Sequence, residues 1–363
     1  MIAQCETKGL DFLESMGFSH PEYKTEEVDR AGELLINPDR ISSYDELEQA
    51  YATINNWRSS HVFPLRTIRY GIYHKAKRID PKSITVQRLK RIFSIDLKLR
   101  RFRNLKLSEM QDIGGCRSLV NTVSEVRKLV QAYKDSEIRH KLDDEDDYIT
   151  DPKKSGYRSH HLIYRYQSDR NTIYNGLKIE IQIRTKLQHA WATAVETVGR
   201  FIGQALKSSQ AKDEGQDWLR FFTLMGTAVA MRENCPPCPK TPTTNTELKK
   251  ELHGYARKLD VESRLNAYRA TITTTKTARS KNARYFLLLL DTNTKQMEIT
   301  GYRQAELKKA SEEYTKIETG HPQKAGKDVV LVSGDSLREI EQAYPNYYLD
   351  TDLFLNVLKK AVE

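Results

Sequence analysis

Leu177 to Thr185 reads LKIEIQIRT. Ile179, Ile181 and Ile183 alternate without a slip with Lys178, Glu180, Gln182 and Arg184. Period-two alternation marks a strand with one face packed on a core. On an ordinary antiparallel strand the other face meets water, so the meaning of Glu180, Gln182 and Arg184 depends on what the rest of the chain brings to them.

The flanks build outward from this strand. TKLQHAWATAVETVGRFIGQAL follows as a helix, with Leu187, Ala190, Trp191, Ala194 and Val198 on one face and His189 and Glu196 on another. Trp191 is therefore expected in the core. Upstream, His160 to Tyr166 reads as a strand that returns through the turn signals of SDRNTIYNG, which makes a hairpin with the opening strand. KLDDEDD before it reads as an acidic loop. In GGCRSLVNTVSEVRKLVQAY, Cys116 to Val120 read as a strand after a Gly-Gly turn and Val123 to Tyr133 as a helix. Strands interleaved with helices point to an α+β layer.

The chain has 363 residues, enough for two or three domains. With 38% hydrophobic and 30% charged residues and no long apolar run, it reads as soluble and globular, without a membrane partner. The first residues, MIAQCETKGLDFLESMGF, lack a basic start followed by an apolar stretch, so a secretory signal is not expected and a cytoplasmic setting is. Cys5, Cys116, Cys235 and Cys238 are too sparse for a disulfide framework. NCPPCPK has the spacing of two zinc thiolates, but no second pair supplies the remaining ligands, so a proline-rich connector is expected.

The net charge is +10, which favours anionic partners such as nucleotides or nucleic acid. It concentrates between Lys75 and Lys106, where only Asp80 and Asp96 oppose a run of lysines and arginines. Residues 1–74 read as a helical region, with a helix on either side of Pro64. Residues 75–233 form the central unit, 234–246 a linker, and 247–363 a C-terminal α+β unit without a catalytic constellation. A chain ending near Asn234 is expected to fold alone. No feature of the sequence specifies an oligomeric state.

Phosphate chemistry needs a rigidly held carboxylate and cations placed to take up charge on the transferring group. Glu180 on a strand is such a mount, and Asp112, just before the Cys116 strand, offers a second carboxylate. The pair suits Mg²⁺, which keeps waters and substrate phosphates in its shell, if the two strands are neighbours.

Four motifs stand in order along the chain: RLKRIFSIDLKLRR, QDIGGCR, YITDPKKSGYRSHH and EIQIRTKLQHAWA. Together they resemble the synthetase domain of RelA/SpoT-type alarmone synthetases, over about Tyr70 to Ala211. No His-Asp dipeptide of that family's hydrolase half occurs, so the resemblance is to a synthetase-only or toxin-like member. It implies an α+β fold with a mixed, nucleotidyltransferase-like sheet flanked by helices, here with a second, smaller α+β C-terminal domain. The implied activity is a pyrophosphokinase that moves the β,γ-diphosphate of ATP to a ribose 3′-hydroxyl of GDP or GTP, making (p)ppGpp, with Mg²⁺ as cofactor.

Carried over residue by residue, the resemblance puts Arg88, Lys90, Ser94, Lys98, Arg101 and Arg117 on ATP. Asp112 and Glu180 hold the metal and do the catalytic work. Lys153, Tyr157, His161, Gln182, Arg184 and His189 bind the acceptor, with Tyr157 stacked on its base. His160 stands where the family usually has leucine, a departure at the acceptor pocket. The alternative acceptor is the 3′ end of tRNA or an adenine nucleotide, with the C-terminal unit as sensor or inhibitor.

Overall fold

The opening stretch is a strand, Lys178–Thr185, and its isoleucine face is sealed. Ile179, Ile181 and Ile183 are fully buried against Leu65, Ile68 and Ile72 from one helix and Val126 and Leu129 from another. Each such side chain contributes about 1.5–3 kcal/mol by leaving water. The computed structural model describes residues 17–205, 211–270, 273–277, 282–291, 293–320 and 327–363. Cys5 and the N-terminal stretch expected to lack a signal lie outside the described residues, apart from its last two positions.

In chain order the helices are α1 (Thr25–Ile36), α2 (Tyr44–Ser60), α3 (Val62–Ile79), α4 (Ile92–Arg101), α5 (Val123–Lys134), α6 (Lys186–Ala205), α7 (Ala211–Arg232), α8 (Asn245–Lys258), α9 (Val261–Ala270), α10 (Leu307–Gly320), α11 (Leu337–Ala343) and α12 (Asp352–Val362). The strands are β1 (Ile84–Leu89), β2 (Gly114–Val120), β3 (Lys141–Asp147), β4 (His160–Arg165), β5 (Lys178–Thr185), β6 (Thr273–Thr277), β7 (Tyr285–Asp291), β8 (Gln296–Tyr302) and β9 (Lys327–Ser333). All nine join one sheet in the order β3-β4-β5-β2-β1-β9-β7-β8-β6. The sheet is mixed, since β2 runs parallel to β5 and β6 to β8 while the remaining pairs are antiparallel.

Several local expectations change. The Lys141–Asp147 run is an edge strand and not a loop, because its acidic side chains are neutralised across the surface, for example Asp147 by Arg127 at 2.6 Å. Gly114 and Gly115 begin β2 and do not form a turn. A Cβ on Gly114 would lie 2.8 Å from Ile179 Cδ1, so glycine permits the close approach of β2 to β5. Pro64 falls within the first turn of α3, where its missing N–H costs no helical bond, and the break between helices is at His61. The basic run from Arg88 to Arg101 divides into the end of β1 and all of α4.

The C-terminal unit is α+β, and its strands extend the central sheet through β9, which pairs with β1 at Gln87↔Ser333 and Arg88↔Val332. Helix α12 also packs Phe354, Leu355 and Leu358 into one core with Trp218, Phe221 and Phe222 of α7 and Trp191 of α6. Trp191 is buried there, donating from Nε1 to the Phe222 carbonyl at 2.8 Å. A chain cut after Asn234 would lose that cover. The connector is held by buried Arg158 of the loop before β4, which donates to the carbonyls of Ile149 and Pro236 and lies near Cys238.

Candidate active site

The sheet register shows what the polar face of β5 meets. Gly115 of β2 pairs with Glu180 and Arg117 with Gln182. On the other side of β2, Gly115 pairs with Arg88 of β1. Cross-strand partners project to the same face, so Arg88, Arg117, Glu180 and Gln182 converge. With Lys90, Asp112 and Tyr344 they line one small cleft. Its floor is bare at Gly115, where a Cβ would stand 3.7 Å from Glu180 Oε2.

Asp112 sits in the turn before β2 and accepts from Lys90 Nζ at 2.6 Å and Lys98 Nζ at 2.8 Å. Burial pushes the Lys90 ammonium down, partly offset by Asp112. Arg88, Arg117 and Arg184 gather nearby with few counter-charges. Burial, then the neighbouring Arg184, brings Arg117 down to about 10. Arg184 is itself buried, and its Nε and Nη1 have no hydrogen-bond partner. Clustered, partly buried guanidinium groups such as Arg88 and Arg117 on the cleft suit an anion, because an arriving phosphate would supply acceptors for their N–H groups.

The second half of the site is a hydrogen-bonded chain. Tyr157 Oη lies 2.9 Å from His161 Nε2, and His161 Nδ1 lies 2.9 Å from Glu180 Oε1. Gln182 Nε2 donates to Glu180 Oε2 at 2.8 Å. Burial alone would raise the Glu180 carboxyl, but the His161 charge and these hydrogen bonds outweigh it and hold the group well below the usual carboxylate range. Burial would lower His161, yet Tyr157 and Glu180 raise it to about 9, so the ring is protonated at neutral pH. Gly156 at φ +93° delivers Tyr157 to this position, with the α7 backbone so close that a side chain would strike the Phe222 carbonyl. Lys153 Nζ stands 4.0 Å from the Tyr148 ring centroid and 5.5 Å from that of Tyr157.

The remaining sequence candidates lie elsewhere. Ser94 and Arg101 are on α4, outside the cleft, and Arg101 is exposed over the Phe102 ring. His189 is buried on α6 and lines a separate cavity. His160, the departure from the family pattern, turns away from the acceptor chain, with Nε2 2.9 Å from Glu145 of β3.

What sequence reasoning missed comes from the C-terminal unit. Arg117 Nη1 donates to the Ala343 carbonyl at 3.1 Å, and its guanidinium lies 5.6 Å from the Tyr344 ring centroid. Burial would lower Arg88, but Tyr344, Tyr347, Glu196 and Asp112 more than offset it. Tyr347 is fully buried and hydrogen-bonds Asp328, which also pairs with Arg91. Arg58 meets Glu318 at 3.0 Å in a further link between the two units. The aromatic cluster YPNYY, Tyr344 to Tyr348, was the available signal.

The donor set suits a hard cation: two carboxylates, Asp112 and Glu180, on one cleft. Among the described residues no group of three or more His, Cys, Asp or Glu is arranged for a metal. A two-carboxylate site fits Mg²⁺ bound together with substrate phosphates.

Residues 87–200 match the family model described as the region found in RelA / SpoT proteins. The chain is 36% identical over 120 residues to the GTP pyrophosphokinase YjbM of Bacillus subtilis, covering 31% of this chain and 54% of that protein. It is 32% identical over 136 residues to the GTP pyrophosphokinase YwaC of the same organism, covering 36% and 63%. The chain thus spans between half and two thirds of the length of these curated relatives. Among solved structures, the small alarmone synthetase 2 of B. subtilis aligns at 25% identity and TM-score 0.39, over 49% of this chain and 94% of that one. Small alarmone synthetase 1 from the same organism, bound to its product pppGpp, aligns at 23% identity and TM-score 0.33, over 60% and 99%.

Proposed function

We propose that this chain, which carries a RelA/SpoT-type synthetase region across residues 87–200, is a pyrophosphokinase whose ATP site is closed by its own C-terminal unit. The observation that carries the reading is the single cleft in which Arg88, Lys90 and Arg117 face Asp112 and Glu180. In the reaction the acceptor's ribose 3′-oxygen attacks the β-phosphorus of ATP, the bond from that phosphorus to the oxygen of AMP breaks, and the hydroxyl proton leaves to a base. Arg88, Lys90, Lys98 and Arg117 take up charge on the phosphates. Mg²⁺, held by Asp112 and Glu180, would neutralise phosphate charge when bound. Ser94 and Arg101 on α4 are assigned to the outer end of ATP.

Glu180 receives the hydroxyl proton. In the closed arrangement His161 keeps it ionised and therefore a weak base. Drawing His161 and Lys153 onto the acceptor phosphates would release it. Tyr157 stacks the acceptor base, with Gln182 and Arg184 alongside. The preferred acceptor is GDP or GTP, by kinship with relatives named GTP pyrophosphokinases.

The cover over Arg117 favours a second reading, in which the C-terminal unit is an inhibitor or sensor. A guanidinium stacked on the Tyr344 ring occupies the contact that an adenine would otherwise make. A regulated enzyme of this kind is compatible with the toxin alternative, in which the acceptor is an adenine nucleotide or the 3′ end of tRNA.

The test is transfer from ATP labelled in its γ-phosphate, with Mg²⁺ and GDP, GTP, ADP, ATP or deacylated tRNA in separate reactions. It is run on the full chain and on a Tyr344→Ala, Tyr347→Ala double variant. Label on a guanine nucleotide supports GDP or GTP as the acceptor and label on tRNA or an adenine nucleotide the toxin alternative, while more label from the double variant than from the parent supports the C-terminal unit as inhibitor. No label from either protein refutes the transferase.

A further inference from the structure

The turn that joins β1 to α4 begins at Lys90 and leads into the helix that carries Lys98, and the two ammonium groups meet on Asp112. Its own side chains do not fix it. Lys90, Arg91 and Ile92 offer no hydrogen-bond acceptor. Arg91 stands at the N-cap of α4, where Ser, Thr, Asp or Asn would ordinarily serve the first N–H groups.

The acceptor comes from the C-terminal unit. Glu318 of α10 accepts from the Ile92 N–H through Oε1 at 2.8 Å, and its Oε2 stands 3.0 Å from Arg58 Nη1. Arg58 of α2 is 2% exposed and donates from Nε to the Lys90 carbonyl at 2.9 Å. Tyr314, one turn before Glu318, accepts from Arg58 Nη2 at 2.7 Å. The Lys90 N–H donates the other way, to the Ile113 carbonyl beside Asp112, at 2.8 Å. Asp328 of β9 pairs with Arg91. The C-terminal unit thus grips Arg91 and Ile92 directly and Lys90 through Arg58. An ion pair that only docked the two units would have no need to reach the Ile92 amide.

We infer that Glu318 is a positioning residue for the ATP half of the site, capping α4 and, through Arg58, setting the Lys90 backbone so that Lys90 and Lys98 converge on Asp112. This role rests on the transferase reading, which makes the two lysines phosphate ligands. A carboxylate at the start of α4 also suits the positive end of the helix. The C-terminal unit therefore acts on ATP in two opposed ways. Tyr344 covers Arg117 while Glu318 holds the lysines in place, so the unit completes the site that it covers.

The experiment titrates the full chain, in Mg²⁺, with the ATP analogue whose α,β-bridging oxygen is replaced by methylene, so that binding is read without turnover. Glu318→Ala should weaken that binding about tenfold, the scale of one hydrogen bond to a charged group. Glu318→Gln keeps a carbonyl for the Ile92 N–H and loses the charge facing Arg58, so it should weaken binding only about threefold. Being nearly isosteric, it also serves if the alanine variant does not fold. Hydrogen exchange across residues 90–98 should quicken in both variants and stay unchanged across β4 and β5. Asp335→Ala is the control, because it cuts another tie between the units, Arg69 to Asp335 at 3.1 Å, without touching the turn. It should leave the affinity within about twofold of the parent's.

Parental affinity in either folded Glu318 variant, or unchanged exchange across residues 90–98, would overturn the role. An equal loss in Asp335→Ala would do the same, by reducing Glu318 to a docking contact. A parent that binds the analogue but transfers no label would refute the transferase and leave Glu318 as the residue that positions the ATP lysines. A parent that does not bind the analogue would overturn both.

Discussion

The two halves of the site satisfy their buried charges in opposite ways. On the proposed acceptor side, Tyr157, in the loop before β4, and His161, Glu180 and Gln182, on β4 and β5, pair with one another. On the proposed ATP side, Arg117 takes an acceptor and its aromatic cover from Ala343 and Tyr344, more than two hundred residues further along the chain. The first half draws none of these hydrogen bonds from the C-terminal unit. A half completed by a distant segment can be opened, and this is a physical basis for regulation.

The largest effect is expected at the carboxylates that serve both halves. Glu180→Gln and Asp112→Asn keep the side-chain shape but remove charge aligned on the reacting phosphate. Each should cost about a thousandfold or more in kcat, with circular dichroism unchanged. Turnover near the parent's in either purified variant would remove that residue from the proposed machinery.

Next comes the borrowed cover. Tyr344→Ala with Tyr347→Ala should tighten ATP binding by about tenfold and raise transfer, since an aromatic cover on a guanidinium contributes about 1 kcal/mol or more when desolvated. The same change should leave the acceptor KM alone. Weaker ATP binding in the folded double variant would mean that the tyrosines belong to the ATP site and do not block it.

A comparable change on the other half is Tyr157→Ala. It should raise the acceptor KM about tenfold by removing one stacked base contact, with the ATP KM unchanged. Equal loss for both substrates would erase the division into halves.

The smallest effect is on pH-dependent stability. His161 is raised from the ordinary value of 6.5 to about 9, so its contribution is complete below about pH 6.5 and lost as pH climbs through about 9. Glu180 is shifted down, so its contribution is present above the unfolded carboxyl pKa and lost only in acid. The melting temperature should therefore decline over that alkaline window, and His161→Gln should flatten the decline. An unchanged slope in the variant would place the titrating group elsewhere.

Much of the proposed catalytic half is legible in the sequence because it is local. The alternation from Lys178 to Arg184 forecast both the strand and its polar face, and Asp112 stands immediately before the neighbouring strand. Motif order then tied Arg88, Lys90 and Lys98 to the same chemistry. The acidic run Lys141–Asp147 was read as a loop because charge density masks strand propensity when both faces are polar. The resemblance puts His189 on the acceptor wall, whereas on α6 it lines another cavity.

Sequence alone determined the Ile179–Ile183 core face, the placement of Glu180 opposite it, and the basic character of the segment that meets it. These depend on side-chain periodicity along one strand and on charge, both local properties. Only tertiary structure decided that β9 would pair with β1 and carry Tyr344 and Tyr347 onto Arg117 and Arg88. The physical reason is that an open sheet edge accepts another strand through backbone hydrogen bonds, which carry almost no side-chain signature.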